Sequence, residues 1–550
     1  MLSLQRLLPF LRWPRPSREL VRGEALAGLA VGLMVIPQGV AYAALAGMPL
    51  VTGIYASMLP ALLAVLFSAS ARLSVGPTAL TCLLVSASLT GLAEPGSARW
   101  VELAVWLALL SGLLQVLLGF MRFGWLLNIV NAPVLMAFTQ AAALLIIASQ
   151  LRSLLGIEVP WRTLLDSPVF DWSSLAFGLG SLTLLMLARR FKPAYPSVLL
   201  VVLVSAALSY VLGFEARGGQ VVGPLPQGLP ALYIPAMLDL DTASRLVLPT
   251  LIITLVSFLE TASSAKVDNE RQGTRWNQNQ DLIGQGLGKL ASGLSGAFPT
   301  SSSFSRSALN LYAGARTGWA TVFSVGVVLA ALLVFTPVLR HVPQAVLAAI
   351  VLVAVLGLIK PREFARLWRI SRAEAVTAGA TFAITLLAAP QLYWGVLAGV
   401  LMALIHFLYQ RLHPRIIEVG LHADGSLRDR HLWKLAPLAE DTYALRMDAA
   451  LDFAAAAEFE RAIGEYLAVH PDTRHVCLFA QPINRIDATG MDVFLKIAGQ
   501  LQLRGITLHI SGMKLPVEQA LVRAGWQADA PGLKLYRTDN EALAGLQGRG

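Results

Sequence analysis

Apolar runs of membrane-spanning length recur from about Ala25 to Leu408 of this 550-residue chain. A helix needs roughly 20 predominantly apolar residues to cross the hydrocarbon core of a bilayer. Helices are expected near 24–46, 50–68, 75–92, 100–121, 125–151, 172–189, 195–213, 244–266, 281–298, 304–314, 317–337, 342–359, 373–389 and 391–412. The chain is 56% hydrophobic and 14% charged, where soluble domains carry roughly 25% charged residues. Such a chain needs lipid as part of its solvent.

The formal net charge of +10 does not point to nucleic acid, because the arginines scatter between apolar runs in no dense block. They follow the positive-inside rule instead. With a cytoplasmic N-terminus, Arg72, Arg122, Arg316 and the clusters at 189–192 (including Lys192), 266–275 and 360–372 fall on cytoplasmic turns. Arg99, Arg152, Arg162, Arg217, Arg245 and Arg340 fall on the other side. This bias implies an even number of crossings and two cytoplasmic termini. Arg6, Arg12, Arg15, Arg18 and Arg22 resemble the start of a signal peptide. The run that follows is too long for one and contains Glu24, Pro37 and Gln38, so it reads as a retained first span. Cys82 and Cys477 form no CxxC pair and offer neither a metal site nor a disulfide. No cofactor is expected.

Two segments are wrong for plain spans. Ser74-Val75-Gly76-Pro77-Thr78 opens a short apolar helix, and Pro299-Thr300-Ser301-Ser302-Ser303-Phe304-Ser305-Arg306 interrupts another. They stand third and tenth in the series, each third within a block of seven. An odd block must enter its second copy from the opposite face, which is the pattern of an inverted repeat with broken helices. Irregular backbone at membrane depth requires a cavity or surrounding protein. Each half-helix, beginning near 76–80 and 303–307, presents free N–H groups and about +0.5 charge. Two such ends suit an anion. Arg306 adds a full charge, and an ionisable residue at this depth is functional by default; the alternative is that Arg306 snorkels or pairs with an acid. Glu260, deep in the eighth run, balances Arg306, binds a proton or holds a cation; a buried structural ion pair is an equal alternative. Gln38 follows Pro37, so its amide either donates to an anion or accompanies a helix kink. Tyr42, four residues on, shares its face and either shapes the cavity or packs.

After Arg411 the character changes, and from about Glu418 the chain reads as soluble. Strand-like runs at 443–447, 475–479 and 506–510 alternate with helix-like runs at 454–467, 489–503 and 516–524. This alternation suggests a small α/β domain.

Several stretches resemble the sulfate permease (SulP) family of anion transporters. They are PQGVAYAALAG at 37–47, GIYASMLPALLAVLFSASARLSVGPTAL at 53–80, ETASSAK at 260–266, NQDLIGQGL at 279–287 and FPTSSSFSRSALN at 298–310. The tail resembles a STAS domain, its helix starting at Asp487-Ala488-Thr489-Gly490. The resemblance implies an α-helical polytopic membrane protein of about 14 helices in a seven-plus-seven inverted repeat, with a small cytosolic α/β STAS-like domain. It implies a basic N-terminus at 1–22 and a transport domain at 23–413. Within that domain, a core (23–122 and 243–337) moves in elevator fashion against a gate (123–242 and 338–413). A linker at 414–440 and the STAS-like domain at 441–550 follow. It places the anion near Gln38, Tyr42, Thr78, Ala79, Phe304, Ser305 and Arg306, with Glu260 tied to a coupling ion, H⁺ or Na⁺. It also implies a homodimer held in lipid, in a bacterial inner membrane. Sulfate is the default anion, with bicarbonate, chloride and C4-dicarboxylates open.

Two departures stand out. The family's Gly-Thr-Ser-Arg before the third helix is Ser68-Ala69-Ser70-Ala71 here, with the basic residue displaced to Arg72. In the tail, Thr489 holds the place phosphorylated in bacterial relatives, and Ala488 has lost the first hydroxyl. A contact of Asp487 with the helix N-terminus is favoured over regulation at Thr489. Among other classes, an ATP-driven pump is disfavoured. Asp-Ala-Thr-Gly at 487–490 breaks the P-type motif, and 284–289 lacks the spacing of a phosphate loop. A nucleobase transporter of the same fold is a closer rival, and a membrane-tethered signalling module a third.

Overall fold

The structure is a computed structural model that describes residues 8–157, 171–191, 197–226, 228–334, 336–527 and 531–547. Arg162, Lys192, the first residues of the helix expected at 195–213, position 335 and the outermost residues of the two terminal segments lie outside the described residues. The chain divides into two compact units, Met1–Ala403 and Leu404–Gly550.

The first unit is helical. Its helices are α1 (Arg18–Leu45), α2 (Thr52–Tyr55), α3 (Leu59–Phe67), α4 (Ala79–Leu89), α5 (Ala98–Phe120), α6 (Ala132–Leu155), α7 (Trp172–Phe191), α8 (Ser197–Val211) and α9 (Leu240–Gln272). They continue with α10 (Gln278–Leu294), α11 (Phe304–Tyr312), α12 (Trp319–Val334), α13 (Thr336–Leu339), α14 (Gln344–Leu356), α15 (Pro361–Ile370), α16 (Arg372–Leu387) and α17 (Tyr393–Leu412). Among the described residues, seven helical stretches are long and apolar enough to cross a bilayer. The remaining expected spans are interrupted or short. The second divides into α2 and α3, with Pro60 in the first turn of α3, where its missing N–H costs nothing. The fifth is among the seven, although it begins as a 3₁₀ turn at Phe123–Ile129 and restarts at α6, capped by Asn131 with Pro133 in its first turn. The basic stretch expected as a turn at 360–372 forms the short helix α15, with no buried residue.

Helices α5 and α3 lie against α10, and α1 against α12; α6 meets α14 and α16, α7 meets α14, and α1 also packs on α14. Without a hydrophobic driving force in lipid, helix pairs depend on close backbone approach. The α5–α10 pair achieves it with facing glycines: a Cβ on Gly112 would sit 2.8 Å from the Gly286 carbonyl oxygen, and one on Gly286 2.6 Å from that of Gly112.

The second unit is a six-stranded sheet in the order β4-β3-β5-β6-β7-β8. Its strands are β3 (Ile416–Leu421), β4 (Leu427–Asp429), β5 (Thr442–Met447), β6 (His475–Phe479), β7 (Thr507–Ser511) and β8 (Leu533–Tyr536). Strands β5 to β8 run parallel, while β3 is antiparallel to both neighbours. Helices α19 (Ala456–Val469), α20 (Ala488–Leu503) and α21 (Leu515–Arg523) bury Phe459, Phe494 and Leu521 in one apolar cluster. Ala542 and Leu546, from α22 (Asp539–Gln547), join a second cluster with Val419, Cys477 and Phe479. Burial pushes the Cys477 thiol up to about 12. The segment expected as a linker at 414–440 holds β3, β4 and the single turn α18 (Arg430–Trp433). Alternating burial of Ile417 and Val419 makes β3 part of the sheet rather than a tether.

Candidate functional site: two facing half-helices

Each broken segment resolves into the same unit of a two-residue strand, a hydroxyl cap and a short helix. Strands β1 (Val75–Gly76) and β2 (Ser301–Ser302) pair antiparallel, Val75 opposite Ser302 and Gly76 opposite Ser301. The Ser303 N–H donates to the Ser74 carbonyl at 3.0 Å, and the Ser74 N–H to Ser307 Oγ at 3.0 Å. Because the strands are antiparallel, α4 and α11 leave the junction in opposite directions with their N-termini at its centre. Helix α4 has 11 residues and α11 has 9, so they are about 16 and 14 Å long, half of a hydrocarbon core of roughly 30 Å. Thr78 Oγ1 accepts from the Thr81 N–H at 3.3 Å, and Ser303 Oγ accepts from the Arg306 N–H at 3.5 Å.

Arg306 is 1% exposed. Its Nη1 donates to the Pro77 carbonyl at 2.8 Å and its Nε to Ser74 Oγ at 3.4 Å, so the guanidinium of one half-helix holds the entry to the other. Its Nη2 is buried without a protein partner. A buried donor left unmade costs about 1–3 kcal/mol, which an anion at the junction would relieve. Gly76 admits the guanidinium: its φ is +157° and a Cβ there would lie 3.3 Å from Arg306 Nη2.

Glu260 on α9 faces the other half-helix. Its Oε2 accepts from Thr78 Oγ1 at 3.0 Å and Thr81 Oγ1 at 3.1 Å. Among the described residues no cationic group forms an ion pair with Glu260. Helix α1 packs on both α4 and α11. Gln38 and Tyr42 are each 4% exposed on α1, and Gln38 Oε1 has no hydrogen-bond partner. Helix α1 runs unbroken through Pro37. Tyr42 and Glu260 lie within electrostatic reach of Arg306. Thr78 and Ala79 are buried at the start of α4; Phe304 and Ser305 are exposed at the start of α11.

One residue at this centre was not singled out from the sequence. Lys289 of α10 is wholly buried and donates to Ser257 Oγ, one turn before Glu260. The Gln115 amide donates to the same hydroxyl at 3.1 Å, and Ser301 Oγ to the Ser257 carbonyl at 3.0 Å. The rule that flags Glu260 and Arg306, an ionisable group inside an apolar run, flags Lys289 equally. Arg72 points elsewhere. It forms an ion pair with Asp268, and its carbonyl accepts from Asn310 Nδ2 at 2.8 Å. Nearby, Asp281 accepts from the Ser70 N–H and hydroxyl and from Trp276 Nε1.

In the second unit, Asp487 caps α20. Its carboxylate accepts from the Gly490 N–H and the Phe453 N–H, both at 2.9 Å. Burial alone would raise this carboxyl; the two amides outweigh it and hold it below the usual carboxylate range. Thr489 is exposed on the first turn.

Comparison with known proteins bears on the family and the fold. Residues 21–381 match the sulfate permease family and 435–542 the STAS domain. A probable sulfate transporter 4.2 of Arabidopsis thaliana is 31% identical over 548 residues, covering 94% of this chain and 80% of its own. A probable sulfate transporter of Mycobacterium tuberculosis is 31% identical over 515 residues, covering 92% and 91%. Murine solute carrier 26 family member A9, described as an anion transporter in the inward-facing state, has the same fold. Its TM-score is 0.89 at 21% identity, over 100% of this chain and 95% of that one. The transmembrane domain of the cyanobacterial bicarbonate transporter BicA superposes with a TM-score of 0.59 at 21% identity, over 71% of this chain and 98% of its own. The chain is a multi-pass membrane protein with a C-terminal STAS domain, and it belongs to the sulfate permease family of anion transporters.

Proposed function

We propose that the chain is a secondary active transporter that couples a proton to a small anion, with sulfate as default substrate, by elevator-type alternating access. The observation that carries this reading is the hydrogen bonding of Glu260. The Thr78 and Thr81 hydroxyls have one proton each; both oxygens lie within hydrogen-bond reach of Glu260 Oε2, and Thr78 Oγ1 also lies 3.0 Å from Thr81 Oγ1, so the carboxylate and this pair hold both protons between them. While Glu260 is ionised, neither can be offered to an anion at the α4 N-terminus. Protonation removes the acceptor charge, frees both hydroxyls and lowers the negative charge beside the site. Proton and anion therefore assist each other, which is a symporter's requirement expressed as a coupling free energy.

The anion lies where the α4 and α11 N-termini meet, near Gln38, Tyr42, Thr78, Ala79, Phe304, Ser305 and Arg306. Arg306 Nη2 is its strongest donor, since charge-assisted hydrogen bonds are roughly twice as strong as neutral ones. A sodium ion is disfavoured because Ser257 Oγ, one turn before Glu260, already accepts from Lys289 and from Gln115. A bovine relative, 27% identical over 585 residues, bears the name sodium-independent sulfate anion transporter. Sulfate follows from such names among the relatives, and bicarbonate, chloride and C4-dicarboxylates are the alternatives within the family. The core of 23–122 and 243–337 carries the site against the gate, in a homodimer with both termini cytoplasmic in a bacterial inner membrane, the orientation supported by the basic turns.

Uptake into proteoliposomes tests the reading. An inward proton gradient without sodium should drive labelled sulfate uptake, and Glu260→Gln should abolish dependence on that gradient. Uptake driven only by sodium, or an unchanged pH dependence in the variant, would refute the coupling. Transport of uracil but of no oxyanion, halide or dicarboxylate would refute the substrate class.

A further inference from the structure

A second cationic cavity lies away from the half-helix junction. It has a volume of about 720 Å³ and opens between the N-terminal turn at Pro9–Arg12, the segment before β1, the end of α5 and the α9–α10 connection. Arg12, Arg122 and Arg275 line it. No guanidinium of the three has a hydrogen-bond or ion-pair partner among the described residues. Asp268 is the one acid in the described lining, and Arg72 and Gln272 already engage it. All three residues are solvent-exposed, so water screens their mutual repulsion, and a multiply charged anion held in the cavity would gain from all three.

The remaining lining is built for the same guest. Helix α10, 17 residues long, begins here with its N-cap Asn277, and Asn279 in its first turn lines the cavity. Its end adds free N–H groups and about half a positive charge, against which stands the buried Asp281 carboxylate of the first turn, itself held by Ser70 and Trp276. Asn279 Oδ1 accepts from the Gly124 N–H at 2.8 Å, pinning the turn in which Arg122 takes its left-handed conformation, φ 61°. Trp13 and Phe120 supply aromatic wall. Cavities of roughly 300–1,000 Å³ suit organic ligands rather than single inorganic ions. We propose that this cavity binds a phosphate-bearing organic anion, through Arg12, Arg122, Arg275 and the N-terminus of α10, at a site separate from the transport site. The proposal stands independently of the transport mechanism above.

The test uses the full chain with saturating sulfate present to occupy the transport site. One arm titrates ADP calorimetrically into protein in phosphatidylcholine nanodiscs. The other measures retention of phosphatidylglycerol by native mass spectrometry. Binding in the first arm identifies a soluble phosphate ester, and retention in the second a lipid headgroup. In either case Arg122→Gln with Arg275→Gln should weaken it, by roughly tenfold per arginine removed. Neither ligand binding in the presence of sulfate, or equal binding by the double variant, would overturn the proposal. An unchanged melting temperature of the double variant guards against misfolding, and Arg12→Gln serves as the second variant should it fall.

Discussion

At the scale of single residues, Arg306 carries two duties that a substitution can separate. Its Nε and Nη1 tie Ser74 and Pro77 to α11, while Nη2 is the buried donor without a protein partner. Lysine keeps the charge but not the planar fork. Arg306→Lys should therefore retain measurable sulfate uptake, lowered by tenfold or more. Arg306→Ala should abolish uptake while costing about 1–3 kcal/mol of stability for the orphaned Pro77 carbonyl. Proteoliposome uptake alongside a thermal melt of each variant measures both effects. Wild-type uptake by Arg306→Ala would leave Arg306 only its structural duty. Arg306 and Glu260 were legible in the sequence because an ionisable side chain stands out against apolar neighbours. Their partners were not. That Glu260 meets two threonines on α4 rather than Arg306 depends on how α9 packs against α4, which no local pattern encodes.

At the scale of elements, caps and breaks were more legible than pairings. The Gly-Pro-Thr and Ser-rich segments announced the half-helices, and α4 and α11 start within the expected stretches. Their joining through β1 and β2 spans more than 220 positions, Val75 to Ser302, and is invisible to periodicity. In the second unit, β3 was missed because its only long-range evidence is pairing with β5. Asp487 offers a prediction here. Replacing an N-cap acid costs about 0.5–2 kcal/mol, and this one also holds Phe453. Asp487→Ala in the full chain should speed amide exchange at Phe453 and Gly490 roughly fivefold, with little change elsewhere. The carboxyl is held low in the folded state. Its contribution is therefore complete above the unfolded value near 3.9 and fades as pH falls through the lower folded value. Exchange rates of the two sequences should converge in acid. Equal protection in both at neutral pH would mean that the cap stabilises nothing.

At the scale of the whole transport unit, the elevator proposed above would divide where one connection changes its allegiance. Residues 220–223 belong to the gate side: the Val222 N–H donates to the Val342 carbonyl at 2.9 Å, and the Gln344 N–H to that of Gln220 at 3.0 Å. Residues 228–239 belong to the core side. The Tyr233 N–H donates to the Leu294 carbonyl at 2.8 Å, Trp106 Nε1 to that of Ala236 at 2.9 Å, and Arg99 pairs with Asp239. Between them stand Pro224 and Pro226, flanked by Gly223 at φ 76° and Gly228 at φ 115°. Hinges concentrate in a few such loop residues. The elevator proposed above then requires its boundary near 223–228 rather than at 242. Spin labels placed at 222 and 342, or at 233 and 294, should report one distance with and without a sulfate gradient. Labels at 222 and 233 should separate or approach by several ångströms as the site changes sides. An invariant 222–233 distance during measurable transport would reject this boundary, because the two segments would then be moving as one body.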